Sequence, residues 1–161
     1  MSKITAISGR VLYNSRGSKT IEVDITTDEK FLGRVCAPSG ASVGKFEAVS
    51  FPNNSPEKSL SVLNENSNKF IGIDSSDLKQ VHDVIHTIDG TDNYAKIGGA
   101  CAFAITIAAT ESAAKAENKQ LFQMISGKTD LRFPFPLGNI LGGGAHAGPG
   151  TPDIQEILVT S

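Results

Sequence analysis

The chain has 161 residues, 39% of them hydrophobic and 20% charged, and 15 Lys and Arg against 17 Asp and Glu leave a net charge of −2. That length fits one domain, or one domain plus part of another, and the mild acidity excludes the basic footprint of a nucleic-acid partner. No apolar run approaches the roughly 20 residues that span a membrane, so no membrane partner is expected.

Residues 3–37 read as strands. Ile21, Val23 and Ile25 alternate with Glu22 and Asp24, the period of a half-buried strand. Ile4 to Ile7 with Val11 and Leu12 suggest a strand before it, and 31–37 one after it, across the polar link Thr27-Asp28-Glu29-Lys30. A three-stranded antiparallel meander is the simplest arrangement. Residues 38–55 are mostly loop, ending in the turn formers Pro52-Asn-Asn-Ser-Pro56.

Residues 56–127 read as helices. Ser55-Pro56 is a cap followed by proline at the first helical position, with Leu60, Leu63 and Phe70 as a sparse apolar face. Leu78, Val81, Ile85 and Ile88 recur at helical steps and stop at Gly90. An alanine-rich helix over 99–117 has apolar residues on every side of its first half, which predicts burial all round there. Leu121, Phe122, Met124 and Ile125 form a short fourth helix closed by Gly127. Phe133-Pro-Phe-Pro136 is a stiff, extended linker. Two strands follow, over 137–141 and 154–160, around a glycine loop. The last is an apolar strand with nothing after it, an odd ending for a whole domain because a buried strand needs neighbours.

Residues 1–6 hold no apolar segment of the secretory type. Cys36 and Cys101 lie far apart without metal-ligand spacing, and are expected as buried free thiols in a reducing, cytoplasmic setting.

Two loops carry the candidate chemistry. In Pro38-Ser39-Gly40-Ala41-Ser42-Val43-Gly44, small hydroxyl residues and glycines follow a strand, which suits close approach of oxygens to a metal ion or anion. The run is not a P-loop: three residues rather than four separate its glycines, and Phe46 replaces the Mg-binding hydroxyl after Lys45. Gly142-Gly-Gly-Ala-His146-Ala-Gly148 is followed by Gln155-Glu156. His146 has the chemistry to donate to a phosphate or to shuttle a proton, though an idle loop histidine has the same surroundings. Gln155 and Glu156 are placed in a strand, so one is expected to face a site while the other is covered or solvated. His82 and His86 have the spacing of a metal pair without a third ligand, and read as a solvated helix face. Glu22 and Glu47 read as surface or interface charges.

Taken together, certain segments resemble enolases, most nearly archaeal ones: Asn14-Ser-Arg-Gly17, Thr20-Ile-Glu-Val23, Pro38-Ser-Gly-Ala-Ser-Val-Gly44 with Glu47-Ala48, Ile97-Gly-Gly-Ala-Cys-Ala102, Asn139-Ile-Leu-Gly-Gly-Gly144, His146-Ala-Gly148 and Gln155-Glu156. They stand in the family's order along nearly the whole chain. The chain departs from the family at Ser18-Lys19, where Asn-Pro is usual, at Val43, where threonine is usual, and near Cys101, where asparagine is usual. The step from His146 to Glu156 is one residue longer than in the common form.

The resemblance implies an α+β fold, a three-stranded antiparallel meander followed by a helical group over 1–130. Residues 131–161 would be the linker and first β-hairpin of an otherwise missing α/β barrel. It implies the Mg²⁺-dependent, reversible dehydration of 2-phosphoglycerate to phosphoenolpyruvate. By resemblance, Ser39 ligates a Mg²⁺ ion when the mobile loop Gly40, Ala41, Ser42, Val43, Gly44 closes. His146 reaches the phosphate end, and Gln155 and Glu156 line the site near the substrate's hydroxyl and carboxylate. His146 and Glu156 are then the catalytic candidates. The ligands of the first metal belong to later barrel strands, so the chain alone is expected to be inactive. A homo-oligomer or a separate barrel chain is the expected partner. The alternatives are one subunit of a split enolase, or a non-catalytic interaction protein with an enolase-like fold.

Overall fold

The structure, a computed structural model, describes residues 2–40, 43–128, 130–144 and 147–160. It divides into two compact units, residues 1–127 and 128–161.

The first unit opens with strands β1 (Ile4–Tyr13), β2 (Lys19–Thr27) and β3 (Phe31–Cys36), antiparallel in that order. The link between β2 and β3 is a tight turn in which Asp28 and Glu29 take φ of 51° and 58° and the Lys30 N–H donates to the Thr27 carbonyl. Such mirror-image turns match the twist of the strands they join. Helices α1 (Pro56–Asn66), α2 (Leu78–Asp89), α3 (Gly99–Ala116) and α4 (Leu121–Ser126) follow. Ser55 caps α1, accepting from the Lys58 N–H, with Pro56 in the first turn. Helix α3 lies across β2 and β3, α1 lies against β1, and α2 packs on α3.

The core sits between sheet and helices. Ile21, Val23 and Ile25 on β2 are fully buried, as are Leu63, Phe70, Val81 and Ile105 from the helical side. The fit between β3 and α3 is close: a Cβ at Gly33 would lie 1.9 Å from the Ala108 carbonyl oxygen and 2.8 Å from the Ser112 nitrogen. A buried hydroxyl chain ties four segments together. Thr27 donates to Ser75 at 3.1 Å, Thr27 and Ser112 are bonded at 2.8 Å, and Ser75 donates to the Ser2 carbonyl.

Three expectations are corrected here. Glu22 is not a surface charge: its side chain is only 10% exposed and lies between Arg10 on β1 and Arg34 on β3. Register puts it there, because Arg10, Glu22 and Cys36 are opposite one another across the sheet. Cys36 is exposed rather than buried, its thiol donating to Glu22 at 3.1 Å, while Cys101 is buried and its thiol is pushed up to about 12 by that burial. The first half of α3 is not buried all round, since Phe103 is 44% exposed and Ile107 half-buried. A helix lying on a single sheet keeps an outer side even when its sequence is apolar.

The second unit is an antiparallel hairpin of β4 (Leu137–Gly142) and β5 (Glu156–Thr160), with a register shift between Asn139 and Leu141. Its strand residues are exposed apart from the half-buried Leu141, and Phe133 and Phe135 before it are almost wholly so. Strand β5 starts at Glu156, two residues later than expected. The described residues form no closed barrel.

Candidate active-site segments

The loop after β3 starts at Pro38, and its hydroxyl residue Ser39 is exposed. The Asn14 Nδ2 donates to the Ser39 Oγ at 2.7 Å. Asn14 is itself fixed by the β1–β2 turn, where its Oδ1 accepts from the backbone N–H of Arg16 at 2.9 Å and of Ser18 at 3.0 Å. Asparagine opening a turn in this way is a local, sequence-encoded geometry. Further along, Glu47 folds back and accepts from the Gly44 N–H at 2.8 Å, which makes it a loop-bracing residue. Val43 and Phe46 are exposed. Ala41 and Ser42 lie outside the described residues.

The glycine loop of the second unit is shaped by close backbone approach. The Gly143 N–H donates to the Gln155 carbonyl and the Gly144 N–H to the Pro152 carbonyl, both at 2.8 Å. A Cβ at Gly143 would come within 2.4 Å of the Pro152 oxygen and 2.5 Å of the Ile154 oxygen. Only glycine lets the returning chain lie so near. The result is a cavity of about 350 Å³ lined by Asn139, Gly142, Gly143, Ala147, Gln155 and Glu156. Gln155 and Glu156 therefore border one cavity instead of opposite faces. The reason is that Gln155 precedes the strand, whose pairing begins at Gly142 with Glu156. His146 lies outside the described residues.

The two remaining histidines are exposed on α2, as expected for a helix face. The His82 Nε2 is bonded to the Thr106 hydroxyl and the His86 Nε2 to the Tyr94 hydroxyl, each at 3.3 Å. Among the described residues no group of three or more His, Cys, Asp or Glu comes together to hold a metal. Ser39 offers oxygens of the hard kind that Mg²⁺ takes, so it suits a contributor to a metal site but does not form one unaided. Sequence reasoning overlooked two side chains: Asn14 as the partner of Ser39, and Asn139 in the cavity wall. The signal for Asn14 was present, because an asparagine that spends its oxygen on a turn has an amide left over.

The family model for the enolase N-terminal domain matches residues 4–125. The chain belongs to the enolase N-terminal domain family. The match takes in the sheet, the Ser39 loop, α1 to α3 and most of α4 of this enolase domain. Pairwise similarity continues through the hairpin. The enolase of Methanosphaera stadtmanae is 41% identical over 159 residues, covering 98% of this chain and 38% of that protein. The enolase of Methanothermobacter thermautotrophicus is 40% identical with the same coverage. Enolase 2 of Pseudomonas syringae pv. syringae is 35% identical over 167 residues, covering 98% of this chain and 39% of that protein. The chain thus spans about two fifths of the length of the curated relatives it matches. Among the described residues no helix is long and apolar enough to cross a membrane.

Proposed function

We propose that this chain supplies the capping domain and first barrel hairpin of an enolase, a lyase that interconverts 2-phosphoglycerate and phosphoenolpyruvate in the cytoplasm. In this reading the boundary lies near residue 130, and residues 131–161 are the linker and first barrel strands. The observation that carries the proposal is continuous similarity to enolases over 98% of the chain, spanning both candidate loops.

The chemical problem is a weakly acidic C2 proton next to a carboxylate, whose removal adds negative charge. Mg²⁺, when bound, offsets that charge as a Lewis acid. Ser39 would supply hydroxyl and carbonyl oxygens towards a metal. The loop of Gly40, Ala41, Ser42, Val43 and Gly44 would close over the substrate and exclude water. His146 would approach the phosphate. Gln155 and Glu156 would border the hydroxyl that leaves and the carboxylate beside it, with Glu156 placed for proton transfer. The base and the carboxylates of the first metal would belong to later barrel strands, and the described residues form no closed barrel. The proposed partners of the completed enolase are 2-phosphoglycerate and phosphoenolpyruvate, with a homo-oligomer or a separate barrel chain as the proposed assembly. Incubating the purified 161-residue chain with Mg²⁺ and 2-phosphoglycerate is expected to yield no phosphoenolpyruvate, and turnover by the chain alone would overturn this assignment.

A further inference from the structure

Asn14 and Ser39 are 25 positions apart, yet their side chains meet at 2.7 Å. The identity of the atom facing Ser39 follows from its neighbours. The Asn14 oxygen already accepts two backbone N–H groups, those of Arg16 and Ser18, so the amide nitrogen must be the group turned to the serine. An amide nitrogen only donates. Ser39 must therefore accept with one lone pair, and its own proton and second lone pair point away from Asn14.

We propose that Asn14 is a positioning residue for Ser39: it fixes the serine rotamer and the polarity of its hydroxyl, and so presents the remaining lone pair to a hard cation. This rests on the reading of Ser39 as an oxygen ligand. The turn is what makes Asn14 effective. Its side chain is held at three points, one to Ser39 and two to its own turn, so anchoring Ser39 takes little further ordering of the asparagine. Aspartate at this position would keep the turn, because a carboxylate accepts the same two N–H groups. It would reverse the polarity, since Ser39 would then donate.

The test uses the 161-residue chain without metal or substrate. The Asn14 side-chain amide protons are followed by NMR, and trypsin cleavage after Lys45 is timed as a measure of how firmly the loop start is held. Ser39→Ala is expected to shift the Asn14 amide protons and speed their exchange, leaving the backbone amides of Arg16 and Ser18 in place. It should also accelerate cleavage at Lys45 by about threefold to fivefold, the worth of one net hydrogen bond. Asn14→Ala should accelerate it at least as much, the double variant no more than Asn14→Ala alone, and Asn14→Asp should restore the slow rate. Unchanged Asn14 protons and unchanged cleavage in Ser39→Ala would overturn the proposal, as would multiplying effects in the double variant. Should Asn14→Ala fail to fold, Ser39→Ala and Asn14→Asp decide the matter. Because no turnover is measured, failure here leaves the enolase reading standing, and failure of enolase activity leaves this result standing.

Discussion

At Gly33 the absence of a side chain sets the distance between sheet and helix. With the Ala108 carbonyl 1.9 Å from where a Cβ would stand, Gly33→Ala has to push α3 off β3. The expected loss is about 3 kcal/mol or more, measurable by urea unfolding. Thr27→Val removes the hydroxyl that joins Ser75 and Ser112 in a buried chain, and should cost about 1–3 kcal/mol in the same assay. Asp89 gives a pH prediction. Its burial favours the neutral form, but hydrogen bonds from Thr91, Ile97 and Lys96 outweigh that and hold its carboxyl below the ordinary 3.8. A carboxyl with a lowered folded pKa stabilises fully above its unfolded pKa, and that contribution is lost as pH falls through the folded value. Asp89→Asn should therefore flatten the acid limb of the stability profile below about pH 4. None of these three residues stood out in the sequence. Ile21, Val23 and Ile25 did, because alternation is local. What Glu22, Gly33 and Thr27 do depends on neighbours in other strands and helices, and that register is invisible along the chain.

Elements were legible where a cap or a period marks them. Ser55-Pro56 announced α1, the steps from Leu78 to Ile88 announced α2, and α2 ends at Gly90 as its stop signal indicates. The outer side of α3 was hidden because it carries Phe103 and Ile107, apolar residues that read as core just as the buried alanines around them do. The hairpin was visible as two apolar stretches, but the start of β5 was not, since Gln155 bonds through its backbone to Gly143 before the strand begins. This second unit leaves Phe133, Phe135, Leu137, Ile140, Ile157, Leu158 and Val159 exposed. An apolar surface of that kind drives association. Sedimentation of the 161-residue chain is expected to show concentration-dependent self-association, and replacing Leu137, Ile140 and Leu158 by polar residues should abolish it. A parent chain that stays monomeric at high concentration would contradict this.

On the scale of the whole molecule, the family was readable because its motifs are spread along the chain in order, each weak and the set specific. The candidate site was only half readable. Ser39 and the pair Gln155-Glu156 were singled out by chemistry and resemblance, whereas the hydrogen bond from Asn14 to Ser39 and the shared cavity of Gln155 and Glu156 needed three dimensions. We propose these residues as the capping part of an enolase. The most direct measurement joins residues 1–161 to the remaining part of the Methanosphaera stadtmanae enolase, in place of that protein's matching segment, and records phosphoenolpyruvate formed from 2-phosphoglycerate with Mg²⁺. Turnover by the joined protein is expected, with a loss of about 100-fold or more in Glu156→Gln. A folded joined protein without turnover, or one indifferent to Glu156, would contradict it.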